Sequence, residues 1–160
     1  ELTSTKYQHA GTPSSSDGYT IGGYHGPGNL NVPVDKISFS SDTDSTSIGT
    51  LGPSHASQFF MAQAHSSETH LYAVGGSPSG GDSITKFPFS STAAATDVGE
   101  LTNSTAGAAS QNSTTHGYTS GDTHGGKSNT IQKYSFLSDS PATDVGEITV
   151  ARAYTAGAQA

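Results

Sequence analysis

The sequence lacks cysteine and tryptophan, and only 12% of its 160 residues are charged. Without cysteine there can be no disulfide bond, no thiolate-ligated zinc and no thiol catalysis, although this does not identify a cellular compartment. No apolar run approaches the roughly 20 residues of a membrane-spanning helix, and no signal-peptide pattern opens the chain. We therefore expect no membrane insertion.

Basic side chains are also scarce. Six Lys and Arg stand against thirteen Asp and Glu, which gives a formal net charge of −7. Phosphate backbones attract basic surfaces, so the composition argues against a nucleic-acid partner. The same scarcity argues against binding to an anionic membrane surface.

The residues that are abundant are small and polar. Hydrophobic residues make up only 31% of the chain, yet seven Tyr and six Phe recur at regular places. Disordered chains combine high charge with few aromatics, which does not fit this sequence. With 20 Gly and 7 Pro and no sustained 3.6-residue apolar period, the chain predicts short strands and tight turns rather than helices. The expected fold class is all-β.

An internal repeat organises the chain. Its clearest markers are the related segments "ELTSTKY", "TLGPSHA", "ELTNSTA" and "EITVARA", which begin at Glu1, Thr50, Glu100 and Glu147. A period of about 50 residues is typical of a propeller blade or a solenoid unit. The predicted units are residues 1–50, 51–100 and 101–147, followed by residues 148–160 as the first strand of a further unit.

Each repeat contains four strand candidates, separated by polar Gly/Ser/Asp/Asn clusters. The first strands are predicted at 7–11, 59–65, 105–110 and 154–160. The second are the phrases "GYTIGG", "LYAVGG" and "GYTSGD". The third strands are predicted at 34–40, 84–90 and 131–137, and the fourth at 45–51, 95–101 and 142–148.

The third strands predict sheets that are covered on both sides. With a period of two, Phe87 and Phe89 fall on one face, and Ile84 and Lys86 fall on the other. A lysine stem can lie along apolar surface with its charged head in water. Both faces are therefore partly apolar, as in a blade packed between two neighbours.

A tyrosine strand ending in glycines, an aromatic third strand and a closing "EITVAR" (147–152) resemble the kelch motif of β-propellers. The matching positions are Tyr19, Gly22, Gly23, Tyr72, Gly75, Gly76, Tyr118 and Gly121. The resemblance covers the whole chain and implies about three four-stranded antiparallel blades plus the start of a fourth. Two features depart from the family: Ile48, Val98 and Val145 stand where it has Trp, and Asp122 replaces a glycine. Phrases such as "ATDVGELT" also resemble repetitive surface proteins of environmental bacteria and their phages.

The repeated tyrosines, Tyr19, Tyr72 and Tyr118, are expected to pack against a neighbouring blade, because repeated positions usually serve packing. The glycines after them are expected to turn the backbone with positive φ. Three blades do not close a ring, since propellers typically use four to eight. We therefore expect self-association, as a ring or an open filament, or further blades of the same chain. The start at "ELTSTKYQ", without Met, also suggests a processed product, a fragment or the ordered part of a longer chain.

Candidate chemistry is weak throughout. His25 and His124 lie in equivalent loops, but no metal-ligand spacing surrounds them, and Asp42 and Asp44 lack the other ligands of a calcium loop. Paired carboxylates for glycoside hydrolysis exist among Asp97, Glu100, Asp144 and Glu147, but they recur in repeats rather than form one site. The copper-radical oxidases that share the kelch propeller need a Tyr–Cys crosslink, which this chain cannot form. We expect no metal, no cofactor and no enzymatic activity.

The loops after the second strands vary most between repeats, which favours a binding function there. We expect a non-catalytic binding or display module, extracellular, on a cell surface or on a virion, whose partner is a carbohydrate or protein surface. The candidate ligand-binding residues are Tyr24, His25, Asn29, Asp82, His124, Lys127 and Asn129. The alternative is a structural subunit of an extracellular fibre or appendage, and a lesser one is a glycan-processing enzyme. Asn103 and Asn112 match the N-glycosylation pattern, which matters only in a secreted eukaryotic protein.

Overall fold

The structure, a computed structural model, describes residues 1–23, 33–51, 63–76, 81–92, 94–123 and 125–157. These residues form twelve strands and no helix. The all-β fold class is therefore confirmed. In the part of the chain that is described, no helix is long and apolar enough to span a membrane.

The strands form three four-stranded antiparallel sheets, each built from consecutive strands paired with their sequence neighbours. Sheet 1 contains β1 (Ala10–Pro13), β2 (Asp17–Ile21), β3 (Pro33–Ser38) and β4 (Thr46–Thr50). Sheet 2 contains β5 (Gln63–Ser66), β6 (His70–Val74), β7 (Ser83–Pro88) and β8 (Thr96–Glu100). Sheet 3 contains β9 (Ala109–Asn112), β10 (His116–Ser120), β11 (Ser128–Ser135) and β12 (Thr143–Arg152).

A serine begins the tight turn between the first two strands of every sheet. Ser14, Ser67 and Ser113 each accept, through the hydroxyl, a hydrogen bond from the backbone N–H three residues later, at 3.0 to 3.1 Å. The backbone N–H of the same serine donates to the carbonyl of that later residue. These side-chain bonds favour a turn over continued strand, so each hairpin is specified locally.

Sheet 1 packs on one face of sheet 2 through an apolar cluster. Tyr19 and Ile21 of β2 and Val34 of β3 meet Leu71 and Phe87 of sheet 2, and all five are buried. The ring of Tyr19 also stacks on Phe89, with centroids 4.5 Å apart. The interface is thus an aromatic stack above an aliphatic layer.

Sheet 3 packs on the opposite face of sheet 2 in the same way. Tyr72, Val74 and Ile84 of sheet 2 meet Tyr134 of β11, and all four are buried. Tyr72 stacks on Phe136 with centroids 4.7 Å apart. Sheet 2 is therefore covered on both faces, as the alternation along its third strand predicts, and Tyr19 and Tyr72 pack against a neighbouring sheet as expected.

The first strands of the three sheets lie side by side and are joined by polar contacts. Thr12 of β1 donates from Oγ1 to Oγ of Ser66 in β5 at 3.0 Å. Asn112 of β9 donates from Nδ2 to the carbonyl of the same Ser66 at 2.8 Å. The first strands thus form the inner edge of the assembly, and the fourth strands form its outer edge.

Each fourth strand carries an irregularity at a glycine, which in β8 and β12 belongs to an Asp-x-Gly sequence. In β8 the N–H of Gly99 donates to Oδ1 of Asp97 at 3.2 Å, and in β12 the N–H of Gly146 donates to Oδ1 of Asp144 at 3.0 Å. Gly49, Gly99 and Gly146 have φ of 148°, 158° and 147°, which only glycine adopts readily. The register of the third and fourth strands shifts in every sheet near this point.

Two details of the expected strands are wrong. β1 begins three residues and β9 four residues later than predicted, and in the second case Thr105 bonds to Gly81 instead of a hairpin partner. Residues 59–62 of the strand predicted at 59–65 lie outside the described residues. In addition, β12 continues to Arg152, beyond the strand predicted at 142–148. Of the strand predicted at 154–160, residues 154–157 are not a strand, and residues 158–160 lie outside the described residues. A first strand pairs with the second strand of its own sheet, and residues 154–157 have no such partner within the described residues.

Candidate functional site

A cavity of about 540 Å³ opens on the edge of the molecule formed by the loops after the second strands. We call this edge the loop edge. The loop between β10 and β11 forms one wall, and the connector 101–108, which joins sheets 2 and 3, forms the other. The lining residues are Asn103, Ser104, Asp122, Gly125, Gly126, Lys127, Ser128 and Asn129. All are polar or glycine, so the cavity suits a ligand recognised by hydrogen bonds and charge.

The connector holds this loop in place through a single residue. The N–H of Ala106 donates to Oδ1 of Asp122 at 2.8 Å, and the carbonyl of Ala106 accepts from both N–H and Oγ1 of Thr123 at 2.9 Å. Asp122 and Ala106 are buried. Asp122, which departs from the diglycine pattern, therefore anchors the loop to the connector.

Gly121 is needed just before this anchor. Its φ is 78°, and a Cβ there would lie 2.7 Å from the carbonyl oxygen of Arg152. A side chain would thus be strained by the backbone conformation and would collide with the end of β12. Gly22, Gly23, Gly75 and Gly76 also have positive φ, as the sequence predicts.

The structure places three of the seven candidate ligand residues, and two of these line the same cavity. Lys127 is exposed and Asn129 is half-buried, and both face the loop-edge cavity. Asp82 lies in the equivalent loop of sheet 2, where its carbonyl accepts from the N–H of Leu101 at 2.6 Å. The remaining four, Tyr24, His25, Asn29 and His124, lie outside the described residues.

A second cavity, of about 560 Å³, lies on the opposite edge, where the β1–β2, β5–β6 and β9–β10 turns converge. Its lining is Pro13, Ser14, Ser15, Ser66, Ser67, Glu68, Asn112, Ser113 and Thr114. Sequence reasoning missed this turn-edge cavity. The sequence does mark the three turns as equivalent, through the serine that begins each of them. It does not show that the three turns lie next to one another and enclose a cavity.

A buried histidine joins sheets 2 and 3 and was also missed. His65 is fully buried in β5; its Nε2 donates to the carbonyl of Tyr118 at 2.8 Å, and its Nδ1 lies 2.9 Å from the hydroxyl of Tyr134. Burial lowers the pKa of His65 to about 4 and raises the pKa of Tyr134 well above its ordinary value. Both groups therefore stay neutral near pH 7 and form a packing contact without access to solvent.

The carboxylates weighed for glycoside hydrolysis lie on the outer strands. Asp97 and Glu100 are exposed on β8, and Asp144 and Glu147 are exposed on β12. Asp97 and Asp144 accept hydrogen bonds within their own strands. Within the described ranges, no three His, Asp or Glu side chains come close enough to hold a metal ion.

The two glycosylation-pattern asparagines differ in surroundings. Asn103 is exposed at the loop-edge cavity. Asn112 is half-buried, and its Nδ2 donates to Ser66 of the neighbouring sheet. A glycan on Asn112 would modify the nitrogen that links β9 to β5, so the structure favours Asn103 as the acceptor of the two.

The chain was compared with models of protein families and with curated proteins. No family model and no curated protein matches it. The resemblance to the kelch family therefore stays a prediction from the sequence.

Proposed function

We propose that this protein is a non-catalytic binding or display module, kelch-like in its repeats, that works outside the cell, on a cell surface or on a virion. The loop-edge cavity carries the proposal. It combines the cation of Lys127, the amide of Asn129 and the amide of Asn103 on two segments held rigidly by Asp122. Function grafted onto loops of a rigid scaffold is common in repeat folds.

The ligand is a carbohydrate or the polar surface of a protein. Amide groups and hydroxyls both donate and accept hydrogen bonds, which suits a hydroxyl-rich ligand. The described lining contains no aromatic ring, so recognition would rest on hydrogen bonds and on the lysine charge. Gly125 and Gly126 would let a ligand approach the backbone closely, since a Cβ at either would meet nothing within 4 Å.

A glycan array tests the carbohydrate form of this proposal. The Lys127→Ala/Asn129→Ala double variant should lose about tenfold or more of the binding, in line with the loss of two polar contacts to a ligand. Glu68→Gln, in the turn-edge cavity, is the matched control and should bind as the wild type does. A flat array for the wild type would contradict sugar binding, and equal loss in the control would place the site elsewhere.

A second function, structural subunit of an extracellular fibre or appendage, is supported by a different observation. Among the described residues, sheets 1 and 3 each have one face that no other sheet covers. Large apolar side chains such as Phe39 and Val145 are exposed there (59% and 49%). A subunit that associates head to tail would use these faces. Electron micrographs would distinguish filaments from single particles.

A further inference from the structure

The outer faces of sheets 1 and 3, which no described sheet covers, carry residues at the same repeat positions as those that build the two internal interfaces. In those interfaces Tyr19 stacks on Phe89, and Tyr72 stacks on Phe136. The third tyrosine of the set, Tyr118, pairs across the strands with Lys133 and thus lies on the face of sheet 3 that points away from sheet 2. Tyr118 is half-buried, whereas Tyr19 and Tyr72 are 3% and 2% exposed.

The aromatic residue that could stack on Tyr118 is at the other end of the molecule. Phe39 follows β3 at the position equivalent to Phe89 and Phe136, and it is 59% exposed. Phe39 lies over Gly18, where an added Cβ would meet its ring at 3.2 Å, so it occupies the outer face of sheet 1. Sheet 1 thus exposes the Phe and sheet 3 the Tyr of a Tyr–Phe stack that is formed at both internal interfaces.

The charges at the two ends are complementary as well. Between sheets 2 and 3, Nζ of Lys86 donates to Oδ1 of Asp139 at 2.7 Å. Lys133 lies beside Tyr118 as Lys86 lies beside Tyr72. Asp42 follows Phe39 by three residues, as Asp139 follows Phe136, and it is exposed. The positive charge of Lys133 on the outer face of sheet 3 is therefore complementary to the negative charge of Asp42 at the outer face of sheet 1.

The segments that precede sheets 1 and 3 also make equivalent contacts, with a buried polar side chain of the third strand. For sheet 3, Thr102 donates to Oε1 of Gln132 at 2.7 Å, and Nε2 of Gln132 donates to Thr105 at 3.0 Å. In sheet 1 the N-terminal segment makes the equivalent contacts. Thr3 donates to Asp35, and Nζ of Lys6 lies 2.9 Å from Oδ2 of Asp35. The side chains of Lys6 and Asp35 are both fully buried.

Residues 147–153, of which 147–152 form the end of β12, correspond to these segments in the repeat. The carbonyl of Arg152 accepts from the N–H of Asp122 at 3.0 Å, as the carbonyl of Thr105 accepts from Gly76 at 2.7 Å. In the repeat alignment Thr149 corresponds to Thr3, and Arg152 corresponds to Lys6. The end of β12 thus carries a hydroxyl and a cation equivalent to those that Thr3 and Lys6 direct at Asp35.

We propose that the open face of sheet 3 binds sheet 1 of a second copy of this chain, head to tail, and that residues 147–153 replace residues 1–7 of that copy. Tyr118 then stacks on Phe39, Lys133 pairs with Asp42, and Arg152 takes over the pairing with Asp35. The two segments are repeat-equivalent and cannot occupy one place together, so the incoming copy must release its own N-terminal segment. This replacement resembles domain swapping, a low-cost route to association, except that the two segments are repeat-equivalent rather than identical.

Light scattering coupled to size-exclusion chromatography, over a concentration series, tests the proposal with charge reversals on exposed or half-exposed residues. The wild type should exceed the 16.2 kDa of one chain, and Lys133→Glu and Asp42→Lys should each weaken association about tenfold through like-charge contact. The Lys133→Glu/Asp42→Lys double variant should regain the association of the wild type, because the two charges are opposite again. Glu68→Lys, on the turn edge, is the matched control. A wild type that stays monomeric throughout, or a double variant no better than the singles, overturns the proposal.

A second arm tests the exchange of segments. Lys6→Ala removes the cation that a chain gives to its own Asp35, so the variant should associate more strongly than the wild type, because Arg152 of a second copy supplies the missing charge. Adding Arg152→Ala should abolish that gain. If Lys6→Ala does not fold, the cysteine-free chain offers another measurement. Lys133→Cys and Asp42→Cys variants, mixed and treated with a short bismaleimide, should form a cross-linked dimer, because a lysine–aspartate pair leaves its Cβ atoms too far apart for a direct disulfide. Absence of that dimer contradicts the interface.

Discussion

The imidazole Nδ1 of His65 accepts a hydrogen bond from the hydroxyl of Tyr134, 69 positions further along the chain, over 2.9 Å. Because Nε2 of the same ring donates to the carbonyl of Tyr118, the neutral Nε2–H tautomer is the one that satisfies both partners. A protonated ring would direct a second N–H at the phenol and would carry a buried charge. The contact therefore makes the packing of sheet 3 on sheet 2 sensitive to acid.

Stability should fall as the pH drops from about 6.5 to about 4. The pKa of His65 is lowered from 6.5 to about 4 by burial, so the unfolded chain binds a proton in this window that the folded chain does not. The linked loss amounts to about 3 kcal/mol once the pH is below both values. Urea unfolding at several pH values measures it, and His65→Gln should reduce the slope between pH 6.5 and 4; an unchanged slope would contradict the assignment.

Tyr134→Phe should destabilise the fold by about 1–3 kcal/mol, the cost of a buried acceptor left without its donor. The ring still fills the same space, so the loss reports the hydrogen bond to Nδ1 of His65. Tyr154→Phe is the control, since Tyr154 is 74% exposed and should change stability by less than about 0.5 kcal/mol. Equal effects of the two variants in denaturant unfolding would argue against the buried bond.

Lys6→Met should cost about 3–5 kcal/mol, because it leaves the carboxylate of Asp35 buried without a cation. Lys36 provides the comparison. Its Nζ lies 3.6 Å from Oδ2 of Asp17 and it is 37% exposed, so Lys36→Met should cost no more than about 1 kcal/mol. Thermal unfolding at low protein concentration, where a second copy cannot contribute Arg152, measures both. A loss for Lys6→Met as small as that for Lys36→Met would show that Asp35 finds another partner.

Gly117→Ala should destabilise by about 1–3 kcal/mol through overpacking. A Cβ on Gly117 would lie 2.5 Å from ring atoms of Tyr134, which is held by His65 and cannot move away. Gly11→Ala, in β1, is the matched substitution in a strand, since its Cβ would meet the carbonyl of Tyr19 at an ordinary 3.5 Å. Circular dichroism melts should therefore separate the two variants, and a stable Gly117→Ala protein would mean that the Tyr134 ring can shift.

The composition was enough to predict the all-β fold class, and the repeat predicted the four strands per unit and the two-sided covering of sheet 2. These features follow from local patterns: alternation along β7, glycines after Tyr19 and Tyr72, and polar turns. The positions of the first strands were predicted less well. Their flanking residues, such as Lys6 and Thr105, alternate like strand residues but are bound by distant partners that no local pattern reveals.

The candidate sites were predictable to a smaller degree. Variation among the loops pointed to Lys127 and Asn129, which do line one cavity. The anchoring of that loop by Asp122 was not foreseen, because an aspartate in a glycine position resembles simple divergence. The link from His65 to Tyr134 was hidden for a different reason: in a repeat protein a residue without equivalents in the other units gives no periodic signal.

The buried apolar side chains form two separate clusters, one between sheets 1 and 2 and one between sheets 2 and 3. Sheet 2 contributes residues to both. Sheets 1 and 3 therefore depend on the middle sheet far more than on each other. Backbone amides of β6 and β7 can reach solvent only when the whole chain opens, whereas those of the outer strands β4 and β12 can exchange through local fraying. Hydrogen-exchange protection should accordingly decline outward from the middle sheet, which is the part of the chain that opens last.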